Sequence, residues 1–203
     1  MAVRRRATRA SVSPAGRVRI IGGAWKRTPI TVVEAAGLRP TPDRVRETVF
    51  NWLNAAIAGS RCLDVFAGTG ALGLEAASRG AQRVVLIEQD RAACLAIRAL
   101  IEKLKAQDRV SLLEGDALAK LTELATDQMN RFDLVFLDPP FGERWLERVW
   151  SRLLPLLRDD ARVYVEAEQA FRPPEGWCID RSGRAGQVHY HLLVRGGVAA
   201  ADA

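Results

Sequence analysis

A glycine-rich segment with the spacing of a ligand-binding loop lies at residues 64–73 (DVFAGTGALG), between an apolar run and a helical stretch. Gly68, Gly70 and Gly73 fit the pattern G-x-G-x-x-G, whose glycines let the backbone turn sharply and approach a ligand at a helix N-terminus. Glu88 ends the next strand-like run, 20 residues after Gly68, where an acidic side chain can accept the hydroxyls of a ribose. The pattern predicts a nucleoside-binding site, with a turn that binds nothing as the structural alternative.

An acidic residue before the first glycine narrows the class of ligand. The carboxylate of Asp64 would repel the pyrophosphate of a dinucleotide, whereas it suits the cationic amino end of S-adenosylmethionine (SAM). On the glycines alone, a NAD-binding oxidoreductase is the alternative. The residues predicted to bind the cofactor are Asp64, Phe66, Ala67, Gly68, Gly70, Glu88 and Asp116.

Asp116 has two interpretations, because it follows the third strand of the predicted sheet and precedes a helix. One is an acceptor for the adenine amino group at the carboxyl edge of the sheet. The other is the N-cap of the next helix. Both hold if one carboxylate oxygen caps while the other binds.

The tetrapeptide Asp138-Pro139-Pro140-Phe141 follows directly after the apolar run 134–137. An exocyclic amine is a poor nucleophile, and an acceptor pair, the Asp138 carboxylate and the Pro139 carbonyl, can hold its two N–H groups and direct its lone pair at a methyl group. The prolines stiffen that carbonyl, and Phe141 offers a face on which a planar base can stack. Rate would then come from orientation and electrostatics. We predict that these four residues are catalytic, with a plain Pro-Pro turn as the alternative.

Positive charge is concentrated in the first third of the chain, although the net charge of the whole is only +6. Residues 1–61 hold 11 Arg and 1 Lys against 3 acidic residues, whereas residues 62–203 hold 18 basic and 21 acidic residues. This asymmetry predicts a polyanionic partner such as nucleic acid, with a basic tail that aids solubility as the alternative. Trp25 would either stack on a nucleotide or anchor this region to the rest of the protein. The predicted RNA-binding residues are Arg17, Arg19, Trp25, Lys26, Arg27, Arg39, Arg44 and Arg46.

Strand-like and helical segments alternate from residue 61 onward, which predicts an α/β fold with a mostly parallel sheet. The predicted strands are 61–66, 83–88, 109–114, 132–137 and 161–166, and the predicted helices are 71–79, 90–105, 116–126 and 143–157. The runs 177–181 and 187–194 are joined by five residues, too few for a crossover helix. They must pair as a terminal antiparallel hairpin, which makes seven strands in total.

Before the sheet, a small β-hairpin and helix extension is predicted. Two short strand-like runs, 18–21 and 29–33, flank a glycine pair. A helix then follows, with Thr41 as its N-cap, Pro42 in its first turn and Gly59 at its end. Apolar residues along this helix recur at helical spacing, and Arg44 and Arg46 are expected to project away from the core.

Several function classes are excluded by composition. The apolar runs are short and flanked by charge, so no transmembrane helix of ~20 residues is expected. The basic segment 1–16 leads into no apolar core, so we interpret it as a mobile arm rather than a secretory signal peptide. Cys62, Cys94 and Cys178 are widely spaced and only two histidines are present, which predicts neither a disulfide framework nor a metal site. We expect a reduced, cytoplasmic protein.

The motifs in this order resemble those of class I methyltransferases with a (D/N)PP(F/Y) motif, and more closely the RsmD-type family of 16S rRNA guanine-N2 methyltransferases. The similarity extends over residues 18–195. The matching stretches are residues 19–27 (RIIGGAWKR), 38–41 (LRPT), 44–53 (RVRETVFNWL), 63–76 (LDVFAGTGALGLEA) and 138–141 (DPPF). The resemblance implies a Rossmann-like fold, SAM as cofactor, and methylation of N2 of the guanine numbered 966 in the usual rRNA scheme.

The resulting organisation is a mobile basic arm at 1–16, a basic hairpin and helix extension at 17–60, a methyltransferase domain at 61–195 and a flexible tail at 196–203. The expected partner is 16S rRNA, free or within a partly assembled 30S subunit, and the expected state is a monomer without membrane or metal. The target base must leave its stack to be methylated. The alternatives are a DNA adenine-N6 methyltransferase, a protein-glutamine methyltransferase, a NAD-binding oxidoreductase and a non-catalytic RNA-binding assembly factor.

Overall fold

The computed structural model describes residues 18–32, 41–127, 129–140, 142, 144–169 and 171–196. Arg17, Arg39 and Phe141 lie outside the described residues, as do the predicted arm and most of the predicted tail. Within these ranges, no helix has the length and apolar character needed to cross a membrane.

The strands of the described residues form one two-stranded and one seven-stranded sheet. β1 and β2 form the N-terminal hairpin, and the others belong to the large sheet. Their bounds are β1 Val18–Arg19, β2 Pro29–Ile30, β3 Arg61–Asp64, β4 Arg83–Glu88, β5 Val110–Glu114, β6 Phe132–Leu137, β7 Leu157–Ala167, β8 Trp177–Ala185 and β9 Val188–Arg195.

In the described part of the chain, five α-helices connect these strands, with a 3₁₀ turn at Leu154–Leu156. The helices are α1 Asp43–Ile57, α2 Ala71–Ser78, α3 Arg91–Lys103, α4 Ala117–Leu124 and α5 Trp145–Leu153. Each of α2, α3 and α4 crosses from the carboxyl end of one strand to the amino end of the next, as in βαβ units.

The large sheet has the strand order β5-β4-β3-β6-β7-β9-β8. β3 to β7 are parallel, and β9 pairs antiparallel with both β7 and β8. The chain adds strands on one side of β3 and then returns to its other side with β6, which creates a switch point between β3 and β6. The predicted fold class, a mostly parallel seven-stranded sheet that ends in an antiparallel hairpin, is confirmed.

Two apolar clusters lie on opposite faces of the sheet. One packs the hairpin, α1, α2 and α3 against residues such as Leu86 and Phe136, and the other packs α4 and α5 against residues such as Val135 and Val163. The first cluster contains Val18 and Phe50 together with strand residues of the sheet. The extension therefore shares a core with the sheet, while the proposed boundary near residue 60 stays a prediction.

Among the element boundaries that differ from the sequence prediction, two have a clear physical cause. The helix predicted to reach residue 157 ends at Leu153, because the chain enters the 3₁₀ turn with Pro155 and β7 then begins at Leu157. The loop predicted at 182–186 belongs to β8 as far as Ala185. Its glycine, Gly183, is there for packing, because a Cβ at this position would collide with the ring of Tyr190 on β9.

Candidate active site

A cavity of about 1500 Å³ opens at the carboxyl edge of the parallel strands, at the switch point. Its wall is formed by the loops after β3, β4, β5 and β6, the N-terminus of α1, and the β8–β9 turn. Most of the predicted cofactor and catalytic residues thus meet at one place. The residues of these two sets that line the cavity are Phe66, Ala67, Gly68, Glu88, Asp116, Asp138, Pro139 and Pro140.

Asp64 lies beneath the glycine-rich loop, with only 1% of its surface exposed. Its Oδ2 accepts a hydrogen bond of 3.0 Å from the backbone N–H of Gly73, while its Oδ1 has no partner. Burial raises the pKa of Asp64 to about 7, and the charge of Glu88 raises it as well, against the lowering effects of the Gly73 N–H and of the nearby Phe66 N–H. A buried, unpartnered carboxylate oxygen is the kind of atom that a cationic ligand group would satisfy.

The third glycine of the loop, Gly73, is required by packing, because a Cβ at this position would collide with the Leu86 side chain on β4. The N-terminus of α2 can therefore pack close to the sheet. Gly70 is the N-cap of α2, with a left-handed backbone at φ 76°. These residues fix the turn on which the ligand-binding loop depends.

Glu88 holds this loop from the end of β4. Its Oε2 accepts a hydrogen bond of 2.6 Å from Gly68 N–H, and its Oε1 accepts from the N–H groups of Gln89 and Asp90 at 2.8 and 2.7 Å. The carboxylate therefore lies at the cavity wall in a fixed orientation. Oε2, which accepts only one of these three bonds, has a second lone pair with which it can accept a ribose hydroxyl.

Asp116 is the N-cap of α4, and its Oδ1 accepts a hydrogen bond of 2.9 Å from Ala119 N–H. The capping interpretation is thus confirmed. Asp116 is also exposed at the cavity wall, where its second oxygen can reach a ligand. The adenine interpretation stays a prediction.

Asp138 follows β6 at the opposite side of the switch point from the glycine-rich loop. Its Oδ2 accepts a hydrogen bond of 3.2 Å from the hydroxyl of Thr41. The same hydroxyl donates to Oε1 of Glu166 on β7 at 2.8 Å, and the Tyr164 hydroxyl also donates to that oxygen at 2.8 Å. Two acidic side chains thus share one threonine hydroxyl at the cavity wall.

The electrostatics of this pair oppose full ionisation. Loss of solvent, followed by the charges of Glu166 and Asp64, raises the pKa of the Asp138 carboxyl well above its usual range. Burial likewise raises the pKa of Glu166, which is only 5% exposed. Two neighbouring carboxyl groups away from water cannot both ionise easily, so the pair retains a proton at a pH where a free carboxyl would have lost it.

Thr41 was predicted to cap α1, and that prediction is wrong. The N-cap is Pro42, with no side-chain capping bond. The Thr41 hydroxyl is used in the carboxyl pair instead, and Thr41 O accepts a hydrogen bond of 3.3 Å from Arg46 Nε. The sequence Thr-Pro is the same whether the threonine hydroxyl caps α1 or bonds to distant acids. Here the partners of the hydroxyl are 97 and 125 residues away, so the sequence around Thr41 does not reveal them.

Arg46 requires a correction as well. It was expected to project outward and contact RNA, but it is completely buried. Its guanidinium donates to Asp43 Oδ1 at 2.6 Å and lies 4.0 Å from Glu75 Oε2. Because no surface of this side chain is accessible to a phosphate, we remove Arg46 from the RNA-binding set.

The hairpin is attached to α2 by two polar side chains that sequence reasoning did not single out. Buried Glu75 accepts hydrogen bonds from the N–H groups of Ile21 and Gly22 at 2.6 and 2.7 Å. Ser78 donates to Gly22 O at 2.6 Å and accepts from Trp25 N–H at 2.9 Å. The sequence does contain a signal for the role of Glu75, because an acidic residue within the apolar face of a helix is rarely buried without a partner.

The remaining basic candidates of the extension are accessible. Lys26, Arg27 and Arg44 are exposed, and Arg19 is exposed beside Asp43, with which it forms a 3.1 Å ion pair. Trp25 is half-buried against the core, with the Arg109 guanidinium 6.0 Å from its ring. This placement favours the anchoring interpretation of Trp25.

The two tryptophans of α5 and the two histidines of β9 pack against other aromatic side chains. Trp150 packs edge-on against Trp177 in the core. Trp145 instead reaches the cavity wall, where its ring meets Phe66 edge-on at 5.4 Å. His189 and His191 stack at 6.4 Å on one face of β9. Among the described residues, no group of three or more His, Cys, Asp or Glu side chains is arranged to hold a metal ion.

Comparisons with known proteins agree with this geometry. A family model described as "Conserved hypothetical protein 95" matches residues 18–194. "Ribosomal RNA small subunit methyltransferase D" of Escherichia coli K12 is 42% identical over 196 residues, which cover 94% of this chain and 96% of the relative. The protein of the same name from Haemophilus influenzae is 38% identical over 182 residues, 87% of this chain and 93% of the relative. The solved structure of yhhF from Escherichia coli has a TM-score of 0.78 at 39% identity and covers 89% of this chain and 98% of its own.

Proposed function

The chain belongs to the RsmD-type family of ribosomal RNA methyltransferases, and from this premise we propose that it methylates the exocyclic N2 of a guanine in 16S rRNA. SAM is the cofactor. The position that we propose is guanine 966, in naked rRNA or in a partly assembled 30S subunit, with the enzyme acting as a cytoplasmic monomer. The observation that supports this best is the meeting of the glycine-rich loop and Asp138-Pro139-Pro140 at one cavity wall.

The cofactor fits the residues on the β3 and β4 side of the cavity. Asp64, whose Oδ1 lies buried beneath the glycine-rich loop and does not line the cavity, offers a negative charge for the methionine amino group, and Glu88 Oε2 offers an acceptor for a ribose hydroxyl. Asp116, on the cavity wall, offers an acceptor for the adenine amino group. When bound, SAM supplies an electrophilic methyl group on a sulfonium.

Asp138 and Pro139 act on the substrate amine. The Asp138 carboxyl group and the Pro139 carbonyl accept its two N–H groups and so direct the nitrogen lone pair toward the cofactor side of the cavity. Phe141 and the ring of Tyr190, which lines the cavity, provide apolar surface for the extruded base. Catalysis then depends on orientation in a site sheltered from water.

Methyl transfer to 16S rRNA isolated from a strain that lacks its own enzyme for guanine 966 tests this function. Nucleoside mass spectrometry should find N2-methylguanosine, and mass spectrometry of ribonuclease fragments should place it at one position. Asp138→Ala should lower the single-turnover rate by ~10²–10³, while the affinity for S-adenosylhomocysteine (SAH) stays near wild type. Asp138→Asn should be milder, because its amide oxygen still accepts one N–H.

Different products would decide between the alternatives. N6-methyladenosine, or methylation of DNA in place of rRNA, would replace the guanine-N2 assignment. An Asp138→Ala enzyme with the wild-type rate would reduce the DPPF segment to a turn. Binding of NAD in place of SAH in calorimetry would return the glycine-rich loop to the oxidoreductase interpretation.

A further inference from the structure

Glu166 is a buried acid that none of the sequence motifs includes, yet it lies within one hydroxyl group of Asp138. Both carboxyl groups bond to Thr41 Oγ1, at 2.8 and 3.2 Å. A threonine hydroxyl has one proton, so it serves one of the two carboxyl groups fully at any moment. The shorter contact is to Glu166.

The hydrogen bonds favour placing the negative charge of the pair on Glu166. Its Oε1 accepts from two hydroxyl groups, Thr41 and Tyr164, both at 2.8 Å. Asp138 has the longer Thr41 bond as its side-chain partner. Hydrogen bonds to a carboxylate stabilise its charged form, so the better-supplied Glu166 is the easier of the two to ionise.

The groups whose charges raise the pKa of Asp138 are acidic, while the cationic guanidinium of Arg46 contacts the backbone oxygen of Thr41. Asp64 faces Asp138 from β3, Tyr164 faces Glu166 from the same strand β7, and Tyr190 faces Tyr164 from β9. Glu88 adds its charge to Asp64 from β4. An ionised Glu166 in these surroundings makes Asp138 a stronger base than a solvent-exposed aspartate.

We propose that Glu166 is a positioning residue for methyl transfer, whose negative charge lets Asp138 take the proton that the guanine amine loses, with Thr41 as the link between them. This inference rests on the proposed function. In the step, the N2 lone pair forms the new N–C bond, the C–S bond breaks and its electron pair stays on sulfur. One proton then passes from N2 to an Asp138 oxygen. No oxidant, reductant or metal is required.

Thr41 also connects this step to the extension. Arg46 donates to Thr41 O, and it lies against Asp43 and Glu75, the side chain that attaches the hairpin to α2. The buried guanidinium thereby holds the residue that bridges the two carboxyl groups. The contacts of Arg46 in the extension therefore fix the position of Thr41, and Thr41 in turn bonds to Asp138.

The test is the pH dependence of the single-turnover methylation rate between pH 5.5 and 9, with the 16S rRNA substrate at saturation. In the wild type the rate should rise with pH as the pair loses its proton. Glu166→Gln removes the neighbouring charge, so the rising limb should move ~1–3 pH units lower. The plateau should fall about tenfold, because the remaining base is weaker.

Variants at Thr41 should act in the opposite direction. Thr41→Val removes a donor from both carboxylates, so the limb should move to higher pH, whereas Thr41→Ser should restore the wild-type limb. Glu123→Gln, which removes an exposed charge on α4, serves as the matched control and should keep the wild-type profile. SAH affinity and melting temperature establish that each variant is folded.

The outcomes separate the two proposals. A wild-type enzyme that makes no N2-methylguanosine overturns the proposed function. A wild type that makes it, with a Glu166→Gln profile that is lower but unmoved along the pH axis, leaves the function in place and overturns the positioning role.

Discussion

At the residue scale, the site uses acidic side chains whose surroundings differ from those of free carboxyl groups. Asp64 is buried with one oxygen unpartnered, and Glu88 has both oxygens on backbone N–H groups. One therefore has a charge that the free protein satisfies poorly, and the other is already solvated by the backbone. Their contributions to cofactor binding should differ accordingly.

Asp64→Asn should weaken SAH binding by about 1.5–3 kcal/mol, the contribution of a charged hydrogen-bond partner, while its amide oxygen still accepts Gly73 N–H. Isothermal titration calorimetry at pH 8 measures this directly. Glu88→Gln should also weaken binding, through lost acceptors for the ribose. Equal SAH affinity in wild type and both variants would remove these residues from the cofactor site.

At the element scale, the hairpin lies along α2 and follows a line from the cavity to the far end of that helix. Arg19 bonds to Asp43 beside Thr41 near the cavity, whereas Trp25 contacts Ser78 at the other end of α2. An eight-residue helix spans about 12 Å, so the exposed basic residues of the extension cover a path several nucleotides long. RNA that enters the site from this side would meet them in succession.

Lys26→Glu and Arg44→Glu should each weaken rRNA binding and lower its salt slope by about 0.7–0.9 if one phosphate contact is lost. SAH affinity should not change. Filter binding at several salt concentrations gives the slope, and Arg152→Glu on α5, across the sheet, is the matched charge reversal. If the salt slopes of rRNA binding are equal for all three variants, then only the net charge of the protein affects binding. The extension would then bind no RNA.

The helices and strands were largely predictable from the sequence, but the side-chain contacts between distant segments were not. The parallel strands follow from short apolar runs, and the glycine-rich turn from local geometry, since Gly70 and Gly73 act within one loop. Arg46 was misplaced because its burial depends on Glu75, which is distant in sequence. Glu166 was missed for the same reason, because the Thr41 hydroxyl that links it to Asp138 lies 125 residues away.

At the scale of the whole molecule, the site imposes a cost on stability that depends on pH. Asp64 has a folded pKa of about 7 against an ordinary value of 3.8, and the values for Asp138 and Glu166 are also raised. A raised carboxyl pKa means that the folded state binds protons more tightly than the unfolded chain. Its stability is therefore greatest below the ordinary pKa and declines as the pH rises through the folded pKa.

The ligand-free protein should accordingly have a smaller free energy of unfolding at pH 8 than at pH 5. Between these two pH values the share of Asp64 is at most about 2.7 kcal/mol, because its folded pKa of about 7 lies two units above pH 5 and each unit is worth 1.36 kcal/mol. Urea unfolding at both pH values measures the difference, and Asp64→Asn should reduce it. A wild type equally stable at both values, or a variant with the same difference, would contradict the assigned burial of this charge.

The bonds between the extension and the site also have a consequence for how the chain folds as it leaves the ribosome. The hairpin finds Glu75 only after 54 further residues have been synthesised, and Thr41 meets Glu166 after 125. Domains generally begin to fold from the N-terminus during synthesis, but this extension has its partners downstream. The segment that is translated first therefore acquires its native contacts late, and the apolar side of its helix waits uncovered until the strands of the sheet have emerged.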